Sequence, residues 1–507
     1  MRIFGTMVLA TVLAFLSLSS SAQTPKTDAQ AFIESIASQD PLSYAQAGVM
    51  ARRVSGEVLV DYNSSRMLVP ASNAKLITTG TVLNELGSEF KFETGLAYSG
   101  TVEDGVLKGD LYILGGGDPT LASKDSIALT ADALFAKWRA VLSGAGIKRI
   151  EGNVIGDGRY FDGEKELSTW LYEDIGTYYG SGADGLSFYR NIQDFNVAAG
   201  PSVGAPLRIT PNYPKLPWME YSYNCSTGIK GSGDKLYLYV TDLAPYAQMR
   251  GTFAVDRNPK RLECSNKFGA FTCAWMFREN LVTHGVQVGG SAADIDAAGK
   301  IRTSLNPMVS GSKAAAVSSL KHLDSTYSPS IRRIAYITNQ RSDNFYAEAL
   351  LRILGKRKKG SAGYDASLEA EKSALRNLGL NPDKGISMAD GSGLSRKNLV
   401  SPAFFCDFLK AMLGSNACEP FVKTLPQPGK GTQASRMRSE SPAATARVYY
   451  KSGSMSGVRC YSGYVVPTDG GKEDTIVFSV MINNYTGPDW KIMGQIDKLI
   501  GLIAKEN

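Results

Sequence analysis

The strongest constraint on this 507-residue chain is that three short motifs, far apart in sequence, must be brought to one place if they are to act together. They are Ser72-Asn73-Ala74-Lys75, Ser342-Asp343-Asn344 and Lys451-Ser452-Gly453. Pro70 blocks helix continuation upstream of the first, and Leu76, Ile77, Leu83 and Leu86 then recur at helical spacing. Ser72 and Lys75 are therefore expected on one face of a helix. A serine hydroxyl is a poor nucleophile unless a base lies within hydrogen-bond reach, and a lysine whose ammonium is destabilised can be that base. Each motif alone is weak. Ser-x-x-Lys recurs at Ser88/Lys91, Ser232/Lys235, Ser310/Lys313 and Ser318/Lys321, and Ser-x-Asn recurs at Ser222 and Ser304. Lys451-Ser452-Gly453 is the single Lys-Ser/Thr-Gly in the chain and is placed at a strand terminus, where a glycine lets a peptide backbone approach a sheet edge.

The rest of the composition removes other chemistries. His284 and His322 are the chain's two histidines, with no His-Glu-x-x-His spacing and no paired-cysteine ligand set. That argues against a zinc hydrolase and leaves a Ser-His-Asp triad without a recognisable context, so no metal or cofactor is expected. The net charge of +7 is small and dispersed. Lys356-Arg357-Lys358-Lys359, its one dense run, lies between glycines and reads as a solvated loop; nothing points to nucleic acid. Residues 1–22 carry Arg2, an apolar run from Met7 to Leu16 and small residues ending at Ala22, which reads as a cleaved secretory signal with export to the periplasm. The apolar run is short for a membrane span, so no integral membrane anchor is expected. The six cysteines all follow it, which suggests disulfides in an oxidising compartment. Cys264/Cys273 and Cys406/Cys418 are close enough for local pairs, leaving Cys225/Cys460; buried free thiols are the alternative.

Along the chain, 28–38 reads as a helix, and 46–54 with 57–62 as a hairpin through Ser55-Gly56. From about Lys91 the pattern becomes short strands between glycines, with helices over 126–143 and 271–284 and a clear strand over 235–240. Residues 172–200, dense in tyrosine and glycine, read as ordered loop. The triple glycine 115–117 is not a phosphate loop, because Asp118-Pro119 follows it rather than a Lys-Ser/Thr pair. Later, 332–339 reads as a strand, 345–354, 366–378 and 402–413 as helices, and 446–451, 458–466 and 475–483 as strands. The last segment, 490–505, puts Ile492, Ile496, Leu499, Ile500 and Ile503 on one face, expected against the core sheet.

The ordered set Ser-x-x-Lys, Ser-x-Asn, Lys-Ser/Thr-Gly is shared by class A β-lactamases and penicillin-binding proteins. With Leu114-Gly115-Gly116-Gly117-Asp118-Pro119, Tyr178-Tyr179-Gly180, Gly185-Leu186-Ser187-Phe188, Ala347-Glu348, Asp390-Gly391-Ser392-Gly393-Leu394-Ser395-Arg396 and Ser456-Gly457, the chain resembles the D-alanyl-D-alanine carboxypeptidase/endopeptidase family of low-molecular-mass penicillin-binding proteins (class C type). The resemblance covers nearly the whole mature chain. One departure is Ser452, where the family usually has threonine; the hydroxyl is kept.

The resemblance implies an α/β (α+β) fold with a transpeptidase-like domain, a central antiparallel sheet flanked by helices, formed by 23–97 and 312–507. The 270 positions between Ser72 and Ser342 match two nested inserted β-rich domains, one over 98–200 and 285–311 and the other over 201–284. It also implies a serine DD-peptidase acting on peptidoglycan stem peptides, with β-lactam antibiotics as covalent inhibitors. Ser72 would attack and Lys75 would accept its proton, its pKa lowered by burial and by the charge of Lys451. Ser342 would relay a proton to the leaving amine, and Asn344 would orient Lys75 and the substrate amide. The N–H groups of Ser72 and Ser454 would form an oxyanion hole, each donor worth roughly 3–4 kcal/mol. Lys451, Ser452, Gly453 and Ser454 would hold the terminal carboxylate and backbone. Asp157 and Arg396 are the expected partners of the ammonium and carboxylate of the stem peptide's diamino acid. Two other readings compete: a β-lactamase, which gives no reason for inserted domains, and a non-catalytic cell-wall-binding protein, which has no need of the five motif residues.

Overall fold

A computed structural model describes residues 26–306, 308–309 and 311–506; the leader read at 1–22 lies outside them. The central sheet has five antiparallel strands in the order Val58–Tyr62, Gln46–Arg53, Ile476–Asn483, Val458–Val465, Val448–Met455. Strand alternation splits its side chains between two cores. Val49, Ala51, Tyr461, Val480 and Ile482 pack with the first helix, Asp28–Ala37, and the last, Asp489–Lys505. Met50, Cys460, Tyr464, Val477 and Met481 face the other way, onto a helical layer of Ala74–Leu86, Ile331–Arg341, Asn344–Lys359 and Pro402–Gly414. Chain from both ends thus closes one sheet, and that is how Lys451 is carried back to Ser72. All five isoleucine and leucine positions expected on the inner face of the last helix are buried.

Between these halves the chain builds β-rich units. A six-stranded sheet runs Ile301–Arg302, Ala292–Ile295, Val154–Asp157, Leu111–Leu114, Glu93–Tyr98, Lys321–Tyr327, with the helix Gly269–Thr283 against it. A three-stranded sheet runs Glu220–Gly228, Tyr246–Ala254, Tyr237–Val240. The fold is therefore the expected α/β arrangement of a central antiparallel sheet between helices with additional β-rich parts.

Three local expectations change. Residues 332–339 are helical, inside Ile331–Arg341. Their isoleucines favour a strand locally, but Ile331, Ile334, Ala335, Ile337 and Thr338 are the buried positions, and they pack as one helix face. The basic run Lys356–Lys359 is the last turn of the helix Asn344–Lys359, ended by Gly360 at φ +79°, rather than a loop. Four positive side chains there complement the helix's negative C-terminal end. All six cysteines are free thiols, four of them buried.

Candidate active site

The first motif folds as a tight turn rather than as helix proper. Ala71–Asn73 form one 3-10 turn, with Ala71 at φ +45°, and the helix Ala74–Leu86 starts directly after it. Ser72 thus stands at the mouth of a helix whose first ten residues are all buried. Lys75, fully buried in its first turn, reaches back: Nζ donates to Ser72 Oγ at 2.9 Å, Asn344 Oδ1 at 2.7 Å and the Ser392 carbonyl at 2.6 Å. Three acceptors saturate an ammonium. A neutral amine has one lone pair to turn toward the Ser72 hydroxyl.

The second motif joins two helices. Ser342 caps the C-terminus of Ile331–Arg341 in the left-handed region, φ +58° and ψ +43°. Asp343 caps the N-terminus of Asn344–Lys359, accepting from the Tyr346 N–H at 3.0 Å. A non-glycine residue held there stores about 1–3 kcal/mol of strain, as functional turns often do. Arg190 pairs with Asp343 and lies over the Tyr346 ring, which pins the junction from outside. Asn344 also donates to the Tyr179 carbonyl at 3.2 Å.

The third motif lies within the edge strand Val448–Met455, which continues past Lys451. Lys451 Nζ donates to Ser342 Oγ at 3.0 Å and to the Ser452 carbonyl at 2.5 Å. Ser452 Oγ accepts from Gln433 Nε2 at 2.8 Å. Gly453 has a reason beyond substrate approach. A Cβ there would stand 2.4 Å from the Pro70 carbonyl oxygen and 3.0 Å from the Ser72 nitrogen, so glycine lets the edge strand close on the nucleophile turn. Ser72, Lys75, Ser342, Asn344 and Lys451 are thus one connected cluster.

Burial pushes Lys75 down to about 8, against the pull of the Asp390, Glu348 and Asp343 carboxylates. Burial is also the first cause of a large downward shift at Lys451, and the Lys75 charge adds to it. The repulsion between the two ammoniums is felt at Lys451, not at Lys75 as expected: burial is what lowers Lys75, and the Lys451 charge is not among its causes. Behind Lys75, Glu348 accepts from the Gly391 and Ser392 N–H groups at 3.2 and 2.8 Å, and Asp390 accepts from Gly393 N, Ser395 N and Trp170 Nε1. These bonds fix the loop whose carbonyl holds Lys75. If Lys75 is the base, acylation by benzylpenicillin should rise as pH increases through about 8, because only the neutral amine could accept the Ser72 proton. A stopped-flow pH series checks this. A rate constant flat from pH 6 to about 9 would contradict a lysine base.

The cluster opens into a cleft of ≈ 620 Å³, lined by Ser72, Ser342, Asn344, Tyr178, Arg190, Tyr237, Arg396 and Ser454 among others. Arg396 is exposed in it and donates to the Ser456 carbonyl at 3.1 Å. Asp157 is not there. It ends the strand Val154–Asp157, nearly buried, and Arg159 grips it with Nε at 2.9 Å and Nη2 at 2.7 Å. It borders a different cavity, with Lys91 and Arg357. The Gly-Asp-Gly-Arg turn supplies the aspartate's own partner, so its carboxylate is paired within the turn and away from the Ser72 cleft. The acidic residues in the cleft are Glu173, Asp174 and Asp343, and Asp343 is paired with Arg190. Asp174 accepts from Tyr179 Oη at 2.9 Å, and burial raises its pKa while Arg396 lowers it. The signal available for it was the tyrosine- and glycine-dense loop itself. Neither histidine lines the cleft; among the described residues no cluster of metal-binding side chains occurs.

Comparison with known proteins agrees over nearly the full length. The family described as D-Ala-D-Ala carboxypeptidase 3 (S13) matches residues 29–500. A D-alanyl-D-alanine carboxypeptidase of an Actinomadura species is 28% identical over 492 residues, 93% of this chain and 84% of that protein. The D-alanyl-D-alanine carboxypeptidase DacB of Haemophilus influenzae is 25% identical over 461 residues, 88% of this chain and 87% of the relative. The crystal structure of penicillin binding protein 4 from Haemophilus influenzae superposes with a TM-score of 0.76 at 22% identity, covering 94% of this chain and 99% of that one.

Proposed function

The chain belongs to the D-Ala-D-Ala carboxypeptidase 3 (S13) family, and from that premise we infer that Ser72 carries a serine DD-peptidase reaction on peptidoglycan stem peptides. The observation that carries the assignment is the buried Lys75 amine 2.9 Å from Ser72 Oγ. Neutral Lys75 takes the Ser72 proton as Oγ bonds to the carbonyl carbon of the penultimate D-alanine. Charge that develops on the carbonyl oxygen meets the N–H groups of Ser72 and Ser454. The C–N bond then breaks, and the leaving amine receives, through Ser342, the proton that Lys75 took, which leaves Lys75 neutral. Water attacks the resulting ester and gives a proton to Lys75, which passes it to Ser72 Oγ as the C–O bond breaks and the acid is released. When the leaving amine belongs to a terminal D-alanine the enzyme is a carboxypeptidase; when it belongs to the diamino acid of a cross-link it is an endopeptidase.

Lys451 receives the terminal carboxylate, with Ser452, Gly453 and Ser454 along the same strand. An arriving carboxylate stabilises the Lys451 ammonium, and a charged Lys451 in turn favours neutral Lys75. Substrate binding thereby prepares the base. The same cluster accounts for covalent capture of β-lactam antibiotics, whose cyclic amide presents a comparable carbonyl and carboxylate. The chain between Ser72 and Ser342 brings Glu173, Asp174 and Tyr178 to the cleft; the borders expected for its two nested units (98–200 with 285–311, and 201–284) shift, because Glu93–Tyr98 and Lys321–Tyr327 are strands of the six-stranded sheet and Gly269–Thr283 packs on that sheet. The leader 1–22 supports action in the periplasm, and no helix among the described residues is long and apolar enough to cross a membrane.

Asp174 and Arg396 take the amine and carboxylate of the diamino acid in this reading. Asp174→Asn should lower kcat/KM about tenfold on a D-Ala-D-Ala peptide with a free side-chain amine, and leave the amine-free peptide and penicillin acylation unchanged. Equal loss on both peptides would make Asp174 structural. Incubation with a cross-linked muropeptide, followed by mass analysis, tests the function as a whole: release of D-alanine or of monomers supports it, and intact substrate contradicts it.

A further inference from the structure

The cleft continues onto an exposed sheet face. Tyr237, in the cleft wall, begins the strand Tyr237–Val240, the outer strand of the three-stranded sheet. Alternation sends Leu238, Val240, Ala247 and Met249 into that unit's core. Tyr237, Tyr239, Tyr246, Gln248 and Arg250 therefore share the opposite face. Register sets Tyr237 beside Arg250 and Tyr239 beside Gln248, and the next strand adds Asn224 beside Arg250 and Ser222 beside Gln248. The rows read Tyr-Arg-Asn and Tyr-Gln-Ser.

Tyr172 joins this face from the loop that also carries Asp174. Its ring centroid is 5.0 Å from that of Tyr239, whose ring the Arg250 guanidinium covers at 4.4 Å. The loop lies so close to the strand that a Cβ on Gly176 would stand 1.5 Å from the Leu238 carbonyl oxygen. Polar groups run between the rings: Arg250 Nε donates to Gln248 Oε1 at 2.5 Å, Gln248 Nε2 donates to Ser222 Oγ at 3.1 Å, and Ser222 Oγ is 2.7 Å from Tyr246 Oη. Tyr172 is 58% exposed and Tyr246 50%.

We propose that this face binds the glycan strand that carries the stem peptide, so that the peptide enters the cleft from a chain already held alongside it. The proposal rests on the stem-peptide reading of the cleft. A pyranose ring has an apolar C–H face that covers an aromatic ring and a rim of hydroxyl and acetamido groups that bond to amides and guanidinium. A flat row alternating tyrosine with Gln, Asn, Ser and Arg offers both. The aromatic and polar groups lie across the face of the sheet and not along a strand edge, which suits a ligand that stacks on rings more than an added peptide strand. Its continuity with the cleft through Tyr237 singles out the polymer to which the substrate is attached.

The test uses the full chain and the double variant Tyr172→Ala/Tyr246→Ala, both half-exposed positions outside the catalytic cluster. D-alanine release is measured from insoluble sacculi and from a soluble pentapeptide. In parallel, penicillin-blocked protein is titrated with an N-acetylglucosamine hexamer. The proposal expects kcat/KM on sacculi to fall about tenfold, with the soluble peptide unchanged and hexamer binding lost. Unchanged activity on sacculi, equal loss on both substrates, or hexamer binding equal in wild type and variant would overturn it. Failure of the wild type to cleave the soluble peptide would count against the cleft assignment instead; the hexamer titration then decides the glycan face on its own.

Discussion

Ser72→Ala should lose covalent labelling by penicillin completely and lose peptidase activity by at least about ten-thousand-fold, with the fold intact. The size of the effect follows from the geometry. No other hydroxyl in the cleft has a buried amine at 2.9 Å with its remaining acceptors already placed; Ser342 faces Lys451 at 3.0 Å but has no oxyanion donors assigned beside it. The substitution removes a small group from a turn held by backbone packing against Gly453 and Gly393, so stability should change little. Thermal melting of the variant beside the labelling assay separates lost chemistry from lost fold. Residual labelling near the wild-type rate would mean that another serine is acylated.

Lys75→Arg should reduce acylation by roughly a thousand-fold or more, although the positive charge is kept. A guanidinium does not deprotonate at any usable pH, so Ser72 loses its proton acceptor. It is also too large for a site where one nitrogen already meets Ser72, Asn344 and Ser392. Lys451→Arg keeps what that position supplies, a cation for the substrate carboxylate, and should retain substantially more activity. The variants should also differ in pH response: the rise through about 8 disappears with Lys75 and persists without Lys451. Equal losses with equal pH profiles would contradict separate roles for the two lysines.

The part of the site most legible in sequence was the part with the narrowest chemical tolerance. An amine that must be buried, a hydroxyl that must give its proton to it, and a glycine that must let two backbones meet admit few residue types, so Ser72, Lys75, Ser342, Asn344 and Lys451 stand out by order alone. Their local settings were less legible. Ser342 and Asn344 come together across a helix–helix junction, not after the strand expected over 332–339, because packing of Ile331, Ile334 and Ile337 on the nucleophile helix overrides the strand preference of isoleucine. The cleft's acid was misread for a different reason. A carboxylate in a Gly-Asp-Gly-Arg turn is conspicuous, but its neighbour Arg159 consumes it. Asp174 lies in an irregular loop, and nothing in its sequence says that the loop folds over the cleft. The basic run of 356–359 shows the same limit, since only the helix end beneath it tells a capped turn from a solvated loop.

The central claim is that the chain acts through an acyl-enzyme on Ser72. Mass spectrometry of the penicillin-treated protein after trypsin digestion tests it most directly. Cleavage after Arg66 and Lys75 isolates Met67–Lys75, in which Ser72 is the sole serine. One equivalent of adduct is expected, on that peptide and on Ser72. An adduct on a peptide holding Ser88, Ser232, Ser310, Ser318 or Ser342, or an unmodified protein, would contradict it.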